Sequence, residues 1–589
     1  MLDIPVLICD DVPVAKRGGK VHVAVTRRHY KGTDYTTTLL RRSYREGGKV
    51  KNETVGNLSH LEEWMVDGLR AMLGGRRLVD LDEEFEIVRS LAHGHVAAVL
   101  GVLRDLDLER LICRERCRER DLCVAMICQR LLEPGSKLSM TRLVHQTTLA
   151  EDLSLGEVTE AGLLAAMDWL YERQERIEKA LARRHLQGEG FVLYDLSSSY
   201  LEGRCCELAA IGYSRDGKPG KPQITYGLCC APDGQPISIE VHQGNTGDPT
   251  TLGPAVERVK DTFGIEHVVF VGDRGMITDA RVKVLKEQGV GFITALRAPQ
   301  IQALTVAPDF QLSLFDEHGL CEVSSPEFPD ERLVVCRNPA VAAERARKRQ
   351  ELLTLTERDL EKVKQMVQGP RGKLKHASAG RIGERAGRVV NKRKMAKHFT
   401  LEIADHSFSY HRNQAQIDEE ALLDGIYVLR TQEPQTRIGS AAVVRAYKQL
   451  KVNERTFKVM KTPLQIRPIH HRLGDRVRAH AFLCMLAAYV QFELTRRLAP
   501  MLFTDDTPIA PADPVAPARR SPQAAAKAGS ARTTNGQVAH SFEDLLSDLG
   551  TLCRNTIRIG NSPYTFTRLT TPTELQASAF ELTGVKPGK

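Results

Sequence analysis

The sequence is poor in aromatic residues and lacks any long apolar run. Aromatic side chains make up 5% of its 589 residues, and tryptophan occurs only at Trp64 and Trp169. Sugar-binding sites usually stack their ligand on aromatic rings, so this composition disfavours a glycosidase, although that class also uses paired carboxylates. No stretch reaches the roughly 18 apolar residues of a membrane helix, and Met1–Arg17 lacks the pattern of a signal peptide. We therefore expect a soluble, intracellular protein with no membrane partner.

The cysteines form no pattern typical of a zinc site. There are 13 of them, an odd number, and four fall on one helical stretch without a CxxC pair or paired histidines nearby: Cys113, Cys117, Cys123 and Cys128. Zinc sites generally require such ligand spacings. We interpret the cysteines as free thiols in a reducing cytosol.

Length and charge limit the classes further. A chain of 589 residues is too long for one ordinary core, so we expect several domains. Hydrophobic residues make up 42% of it, enough to fill such cores. The net charge of +9 permits a polyanionic partner but does not identify one by itself.

Changes in the hydrophobic period divide the chain into segments. Strand-like runs around Gly47-Gly48 predict a β-hairpin, a helical period runs from about Glu83 to Arg184, and strands alternate with helices after Phe191. The arginines of Arg114–Arg118 are compatible with a solvated helix face or with a DNA-binding bundle. The predicted boundaries are a β-rich segment at 1–75, a helical region at 76–186, an α/β segment at 187–297 and 420–500, an inserted subdomain with a basic helix at 298–419, a flexible Pro/Ala-rich linker at 501–540 and a C-terminal segment at 541–589.

Two aspartates come at the ends of buried strands. Asp195 closes the apolar run that starts at Phe191, and Asp273 follows the strand His267–Val271 with glycines on both sides. A carboxylate is costly in such a run unless something compensates it, although an aspartate that caps the next turn is a common structural alternative. The glycines leave room for a metal, water or phosphate. Two carboxylates at strand ends of one sheet can share a site.

A third carboxylate, Glu454, lies in a predicted helix from Ala441 to Lys461. A purely structural interpretation of this helix is a solvent-exposed face with Glu–Lys ion pairs. Three carboxylates suit phosphoryl transfer on DNA, because two Mg²⁺ or Mn²⁺ ions about 3.5–4 Å apart stabilise the attacking and leaving oxygens. The residues on one side of the helix are Tyr447, Leu450, Lys451, Glu454, Lys458 and Lys461.

The order and spacing of these motifs resemble DDE insertion-sequence transposases with a Tyr-Arg-Glu-Lys signature, a group within the broad insertion-sequence-4 superfamily. The resemblance covers most of the chain. The motifs that carry it are a strand with Asp195, a strand followed by Asp273-Arg-Gly, a long insertion, Tyr447-x2-Leu450-x3-Glu454-x6-Lys461, Gly244–Asp248 and Asp475–His480.

The resemblance implies an α/β fold, a ribonuclease-H-like catalytic core with a large insertion, preceded by a β-hairpin segment and a helical DNA-binding region at 76–186. It implies that Asp195, Asp273 and Glu454 are catalytic and bind two Mg²⁺ or Mn²⁺ ions per active site. Leu450 stands where the signature has arginine, so that phosphate contact is either missing or supplied by Lys451 or Arg455. The expected DNA-binding residues are Tyr447, Lys451, Lys458, Lys461 and Arg274.

The function that the resemblance implies is that of a DNA transposase and endonuclease. Such an enzyme cuts double-stranded DNA at the terminal inverted repeats of its element and joins the 3′-hydroxyl to target DNA, as a homodimer in the synaptic complex. We expect it in the cytoplasm, associated with the bacterial nucleoid. Two alternatives stay open, a catalytically impaired DNA-binding protein derived from a transposase and a DDE-type nuclease without strand transfer.

Overall fold

The computed structural model describes residues 19–75, 85–186, 190–203, 205–265, 267–306, 316, 319–505, 513–516, 519–559 and 563–588. Met1–Arg17 and part of the predicted linker lie outside these residues. The chain divides into two compact units. The first unit comprises Met1–Ser90 and Asn555–Arg568, and the second comprises Leu91–Arg554 and Leu569–Lys589.

The described residues form both strands and α-helices, which are numbered in chain order. The strands are β1 Lys20–Tyr30, β2 Thr33–Glu46, β3 Lys49–Asn57, β4 Phe85–Ala92, β5 Gly190–Tyr200, β6 Gln223–Cys230, β7 Pro236–Gln243, β8 Val268–Val271, β9 Gly291–Ala295, β10 Leu320–Val323, β11 Arg332–Arg337, β12 Phe399–Ala404, β13 Ser407–Arg412, β14 Ile426–Thr431, β15 Cys553–Ile559 and β16 Thr565–Leu569. The α-helices are α1 Glu63–Leu73, α2 Gly94–Asp105, α3 Leu108–Ile112, α4 Arg118–Leu132, α5 Lys137–Leu143, α6 Leu149–Asp152, α7 Glu160–Tyr171, α8 Gln174–His185, α9 Asp248–Glu257, α10 Asp279–Glu287, α11 Ala298–Val306, α12 Pro339–Gln368, α13 Ala379–Lys392, α14 Gln414–Ala421, α15 Ser440–Lys448, α16 Leu450–Lys461, α17 Gly474–Arg497, α18 Pro522–Ser530, α19 Phe542–Leu549 and α20 Glu574–Thr583.

The first unit contains the predicted hairpin. Strands β1, β2 and β3 form an antiparallel sheet in that order, and α1 follows them. Gly47 and Gly48 join β2 to β3 with φ values of 57° and 78°. A two-residue turn with two positive φ angles matches the twist of the flanking strands and favours glycine, so the Gly-Gly signal is confirmed. A second sheet has the order β16-β15-β4.

The second unit is built on an eight-stranded mixed sheet with the order β10-β11-β14-β9-β8-β5-β6-β7. Strands β5, β6 and β7 form an antiparallel meander. On the other side of β5, strands β8 and β9 run parallel to it, and parallel neighbours need helical crossovers. Helices α9 and α10 supply them. This mixed α/β arrangement is consistent with the expected ribonuclease-H-like core.

Helix α17 lies inside the second unit. Every residue from Ala479 to Gln491 is buried, and a helix that is apolar on all sides needs partners all round. It contacts β7, α7 and α4, so the helices of 91–186 share one hydrophobic core with the sheet. The region that the sequence separates at 186 is therefore continuous with this core. Within the described residues, no helix has both the length and the apolar character to cross a bilayer.

The insertion has two parts. Strands β10 and β11 extend the large sheet beyond β14. Helices α12 and α13 and the β12–β13 hairpin enclose a separate hydrophobic cluster around Leu360 and Phe408. The long charged helix predicted at Ala340–Gln368 is confirmed as α12, and its start is fixed by Asn338, whose side chain accepts a hydrogen bond from the Val341 amide.

Part of the predicted flexible linker is helical. In α18, Ser521 accepts a hydrogen bond from the Ala524 amide at 3.1 Å. Lys527 is buried and donates to the carbonyl groups of Ala499 and Thr504. Alanine, proline and serine suggested flexibility, but serine followed by proline is also the usual start of a helix.

Candidate active site

The strand register brings the two aspartates to the same end of the sheet. The parallel pairing of β5 with β8 ends at Leu193 and Val271. Asp195 lies two residues beyond Leu193, and Asp273 lies two residues beyond Val271. Strand β5 continues to Tyr200 against β6, so Asp195 lies inside the strand, just beyond its parallel pairing, and not at the strand end that the sequence had suggested.

Asp273 also organises the turn that follows β8. One carboxylate oxygen, Oδ1, accepts hydrogen bonds from the amides of Gly275 and Met276 at 3.0 and 2.8 Å. The capping alternative is therefore correct for this oxygen. The other oxygen, Oδ2, accepts no hydrogen bond from the residues that the structure describes, so it remains available to a ligand.

The helix that carries Glu454 differs from the prediction. Instead of one helix from Ala441 to Lys461, the structure has α15 and α16 with a break at Gln449. The Gln449 amide donates to the carbonyl groups of both Arg445 and Ala446, and the Val452 amide donates to the Gln449 carbonyl at 2.8 Å. The bonds that the Ala446 and Gln449 carbonyl groups accept span three residues and tighten the chain locally, so Tyr447 and Glu454 lie on different helices.

Helix α16 packs on the sheet through its apolar face. Phe457 meets Tyr226 of β6 edge to face, with ring centroids 5.7 Å apart, and Met460 is fully buried. Glu454 is exposed on another side of the helix. Its carboxylate has no hydrogen-bond or ion-pair partner in the described part of the chain.

One cavity of about 610 Å³ has all three predicted carboxylates in its lining. Of the five predicted DNA-binding residues, Arg274, Tyr447 and Lys451 also line it. Leu450 is a further lining residue. The remaining lining residues are Ala295, Leu296, Ala298, Ile301, Asn338, Val341, Arg345, Leu423, Ile426, Tyr427 and Lys448.

The carboxylates influence one another. The pKa of Asp195 is raised to about 7, mainly by burial, and the negative charges of Asp273 and Glu454 contribute to the rise. Hydrogen bonding from the Leu196 amide and the positive charge of Arg215 act in the opposite direction. Like charges disfavour ionisation at short range, so the cavity concentrates negative charge that a bound cation would relieve.

The nearby cation Arg215 is already engaged. Its guanidinium donates to both oxygens of Asp248, at 2.6 and 2.7 Å. Asp248 is the last residue of the Gly244–Asp248 motif and the first residue of α9. This part of the motif therefore holds Arg215, and Asp195 forms no ion pair with any of the described residues.

The donor set suits a hard divalent cation. Three carboxylates offer oxygen ligands, which Mg²⁺ and Mn²⁺ prefer. No three His, Cys, Asp or Glu side chains of the described residues stand close enough to hold one ion by themselves. Mg²⁺ usually takes one or two carboxylates and completes its shell with water and substrate phosphates. The residues present therefore fit ions that bind together with a phosphate substrate.

Two of the predicted DNA-binding lysines, Lys458 and Lys461, do not line the cavity. Lys461 forms an ion pair with the buried Asp216 at 2.8 Å, and Arg467 pairs with the same carboxylate. Lys461 follows Glu454 by two helical turns, which places it about 10 Å farther along the helix axis. Lys461 thus has a structural partner, whereas Lys458 is exposed.

Two cationic lining residues were not predicted from the sequence, and one of them, Arg345, comes from the insertion. Arg345 of α12 and Lys448 of α15 both line the cavity. Lys448 donates to the carbonyl groups of Pro514 and Ala516, whereas Arg345 is exposed. Arg345 is one of several arginines in a charged helix, so no sequence pattern distinguishes it.

Known families match two parts of the chain. Residues 205–490 match the transposase DDE domain, and residues 23–77 match the N-terminal domain of IS1634 family transposases. The first match includes Asp273 and Glu454 and begins after Asp195. The second covers most of the β1–β3 sheet together with α1.

A solved structure, the cryo-EM structure of the piggyBac transposase synaptic complex with hairpin DNA, is similar at a TM-score of 0.31 and 9% identity. The similarity covers 78% of this chain and 76% of that one. No curated protein matches the chain. The transposase DDE domain and the IS1634-type N-terminal domain, present in one chain, support a DDE insertion-sequence transposase.

Proposed function

We propose that the protein cuts the ends of its element at terminal inverted repeats and joins the freed 3′-hydroxyl to target DNA, with Asp195, Asp273 and Glu454 as the catalytic residues. One observation carries the proposal. Three carboxylates from β5, from the turn after β8 and from α16 line one cavity, and no side-chain cation of the described residues forms an ion pair with any of them.

These carboxylates would hold two Mg²⁺ or Mn²⁺ ions. When bound, such ions activate the attacking water or 3′-hydroxyl and stabilise the leaving oxygen. The protein orients the carboxylates, because β5 and α16 are fixed by packing in the core and the Asp273 turn is fixed by its own hydrogen bonds. Rigid placement of ligands is what this chemistry requires.

Cationic residues of the cavity would bind the DNA backbone. Arg274 and Lys451 are exposed and line the cavity beside the carboxylates. Arg345 supplies a third cation from the insertion. Phosphate contacts of this kind position the substrate without reading its sequence. They also compensate for the arginine that Leu450 replaces.

Other regions would bind the element's ends. Helix α13 buries Ile382, Ala386 and Val390 and exposes Arg381, Arg385 and Arg388. An exposed basic face next to a buried apolar one suits the phosphate backbone. Together with the N-terminal unit, it would hold one end per chain, so that a homodimer joins two ends. The site of action would be the bacterial chromosome in the cytoplasm.

The test is cleavage of a labelled duplex that carries the element's own inverted repeat, with Mg²⁺ or Mn²⁺ or with a chelator. The informative variant is Asp273→Asn, because the amide oxygen can still accept the two turn hydrogen bonds while the negative charge is lost. We expect the cleavage rate to fall by more than about a hundredfold. Substituting a residue that only hydrogen-bonds to a metal ligand already lowers activity by up to about a hundredfold. Asp261→Asn is the control, an exposed residue outside the cavity that makes the same change in charge.

The outcomes separate the alternatives. Metal-dependent cleavage that Asp273→Asn abolishes, followed by joining to a second duplex, would support transposition. Cleavage without joining would favour a nuclease. Binding without cleavage would favour a DNA-binding protein derived from a transposase, and an equal loss in Asp261→Asn would contradict the assigned site.

A further inference from the structure

A second cavity of about 490 Å³ lies beside the segment that follows α16. Its lining is strongly basic. Five lysine or arginine side chains and three histidines face one carboxylate, that of the exposed Glu160. The basic lining residues are Arg130, Lys137, Arg467, Arg472, Arg476, His470, His471 and His480.

Two of these cations have partners elsewhere. Arg467 pairs with Asp216, and Arg476 binds both oxygens of Asp168 at 3.0 to 3.3 Å. The other three cations have no carboxylate partner among the described residues. They are Arg130, Lys137 and Arg472.

Two cations of the lining, Lys137 and Arg130, are buried without a carboxylate partner among the described residues, which is unusual for charged side chains. Lys137 is only 7% exposed, and its ammonium has no hydrogen-bond or ion-pair partner in the described structure. Arg130 is equally buried and donates only to the carbonyl groups of Gly135, Leu464 and Gln465. Burying two like charges without a counter-ion is costly, and burial together with Arg130 lowers the pKa of Lys137 to about 7.

A buried histidine adds a second unsatisfied group. His480 is 4% exposed and lines the same cavity. Its Nε2 atom contacts the Ile466 carbonyl at 3.1 Å, and its Nδ1 atom has no partner among the described residues. Buried polar atoms without partners are rare and call for an explanation such as a bound ion. An anion would favour the protonated ring, whose Nδ1 could then donate.

We propose that this cavity binds a phosphate group, with Lys137 at its buried end and Arg472 at its exposed side. A tetrahedral oxyanion offers acceptors to several converging donors at once, and its charge offsets the repulsion between Lys137 and Arg130. The phosphate can belong to free phosphate or to a DNA backbone. Only the second source rests on the proposed function.

The test is titration of the full-length protein with inorganic phosphate, measured by isothermal titration calorimetry at constant ionic strength in chloride. We expect saturable binding of one phosphate per chain. Arg472→Gln should weaken it about tenfold, which corresponds to the loss of one charge-assisted hydrogen bond. Arg183→Gln is the matched control, because Arg183 is an exposed arginine of α8 that lies outside this cavity.

Lys137→Met tests the buried end. It removes an unpaired charge and keeps an unbranched side chain, so the variant should keep its melting temperature without phosphate and lose most of the phosphate affinity. Because Arg472 is exposed, the Arg472→Gln variant still tests the proposal if Lys137→Met fails to fold. Absence of saturable binding to the wild type, or wild-type affinity in both variants, would overturn the proposal.

The source of the phosphate is decided with a labelled duplex of arbitrary sequence. If phosphate displaces the duplex, and Arg472→Gln weakens duplex binding, the natural ligand is a DNA phosphodiester. If duplex binding is unchanged while phosphate still binds, the cavity takes a free phosphate. The Asp273→Asn variant should bind phosphate like the wild type, so failure of the cleavage proposal would leave this result unaffected.

Discussion

A single methyl group at Gly234 should displace the helix that carries Glu454. Gly234 lies in the turn between β6 and β7 with a φ of 93°. A Cβ atom there would stand 1.9 Å from Cγ1 of Val452, on α16. The turn also accepts a hydrogen bond from the Thr456 hydroxyl, at 3.4 Å to the Gly234 carbonyl. The Gly234→Ala variant therefore tests how this turn sets the position of α16.

The expected cost has two parts. Alanine at this positive φ costs about 1–2 kcal/mol, and forcing a side chain into a packed contact costs about 1–3 kcal/mol. The total is about 2–5 kcal/mol. In a unit of about 480 residues each kcal/mol lowers the melting temperature by about 1 °C, so we expect a decrease of about 2–5 °C.

A double-mutant cycle separates these parts. Val452→Ala removes Cγ1, the atom nearest to the new methyl group, but keeps the Val452 Cβ atom at 2.9 Å, so it should recover part of the packing cost of about 1–3 kcal/mol. The strain from φ remains in the double variant. Gly253→Ala is the control, because that helical glycine has no heavy atom within 4 Å of an added Cβ, and alanine is the better helix former.

Cleavage should follow the same pattern. Val452 is two residues from Glu454, and a displacement of about 1 Å in a reacting group can cost about a hundredfold in rate. Gly234→Ala should therefore reduce cleavage although it changes no residue of the cavity lining, and adding Val452→Ala should restore part of it. Wild-type stability of Gly234→Ala, or purely additive effects in the double variant, would refute the reasoning.

Two further predictions concern buried charges. Glu178 is fully buried and accepts two hydrogen bonds from Arg258, at 2.6 and 2.9 Å. Arg258→Met should lower the free energy of unfolding by about 3–5 kcal/mol, and adding Glu178→Met should restore much of this loss. An unchanged melting temperature in the single variant would contradict the buried pair. Burial lowers the pKa of Lys137 to about 7, against about 10.4 in an unfolded chain. Between these values the unfolded chain binds more protons, so in phosphate-free buffer this lysine makes stability rise from about pH 7 to pH 10. The neighbouring Arg130 keeps its charge over this range, and His471 and His480, whose pKa values burial lowers, stay neutral. Urea unfolding at several pH values should show that the free energy of unfolding rises less with pH in Lys137→Met than in the wild type. Parallel curves for the two proteins would show that Lys137 is not a buried neutral amine.

Much of the candidate active site could be predicted from local sequence. The apolar runs before Asp195 and Asp273 identify β5 and β8 because buried parallel strands are continuously apolar. The glycine pair identifies the first hairpin because only certain residues adopt two successive positive φ values. Each of these signals is contained in a short segment whose backbone conformation depends mainly on its own residues.

The features that the sequence does not show depend on contacts between distant segments. The sequence spacing puts Lys461 on the same helix face as Glu454, but Asp216, 245 residues earlier, neutralises it. The sequence suggested a break between residues 186 and 187, but α17 packs against helices and strands from both sides of it. A partner that lies hundreds of residues away leaves no periodicity in the segment that it contacts.

The two cavities differ in how well the sequence reveals them. The carboxylates of the first cavity follow apolar strands or interrupt a helix of lysines, so each is conspicuous where it stands. In the second cavity Lys137 is an ordinary lysine after a serine N-cap, at the start of α5. Its chemistry arises only because Arg130 and His480 are buried beside it without a counter-ion. A site whose charges are individually unremarkable becomes recognisable only when the fold removes their solvent.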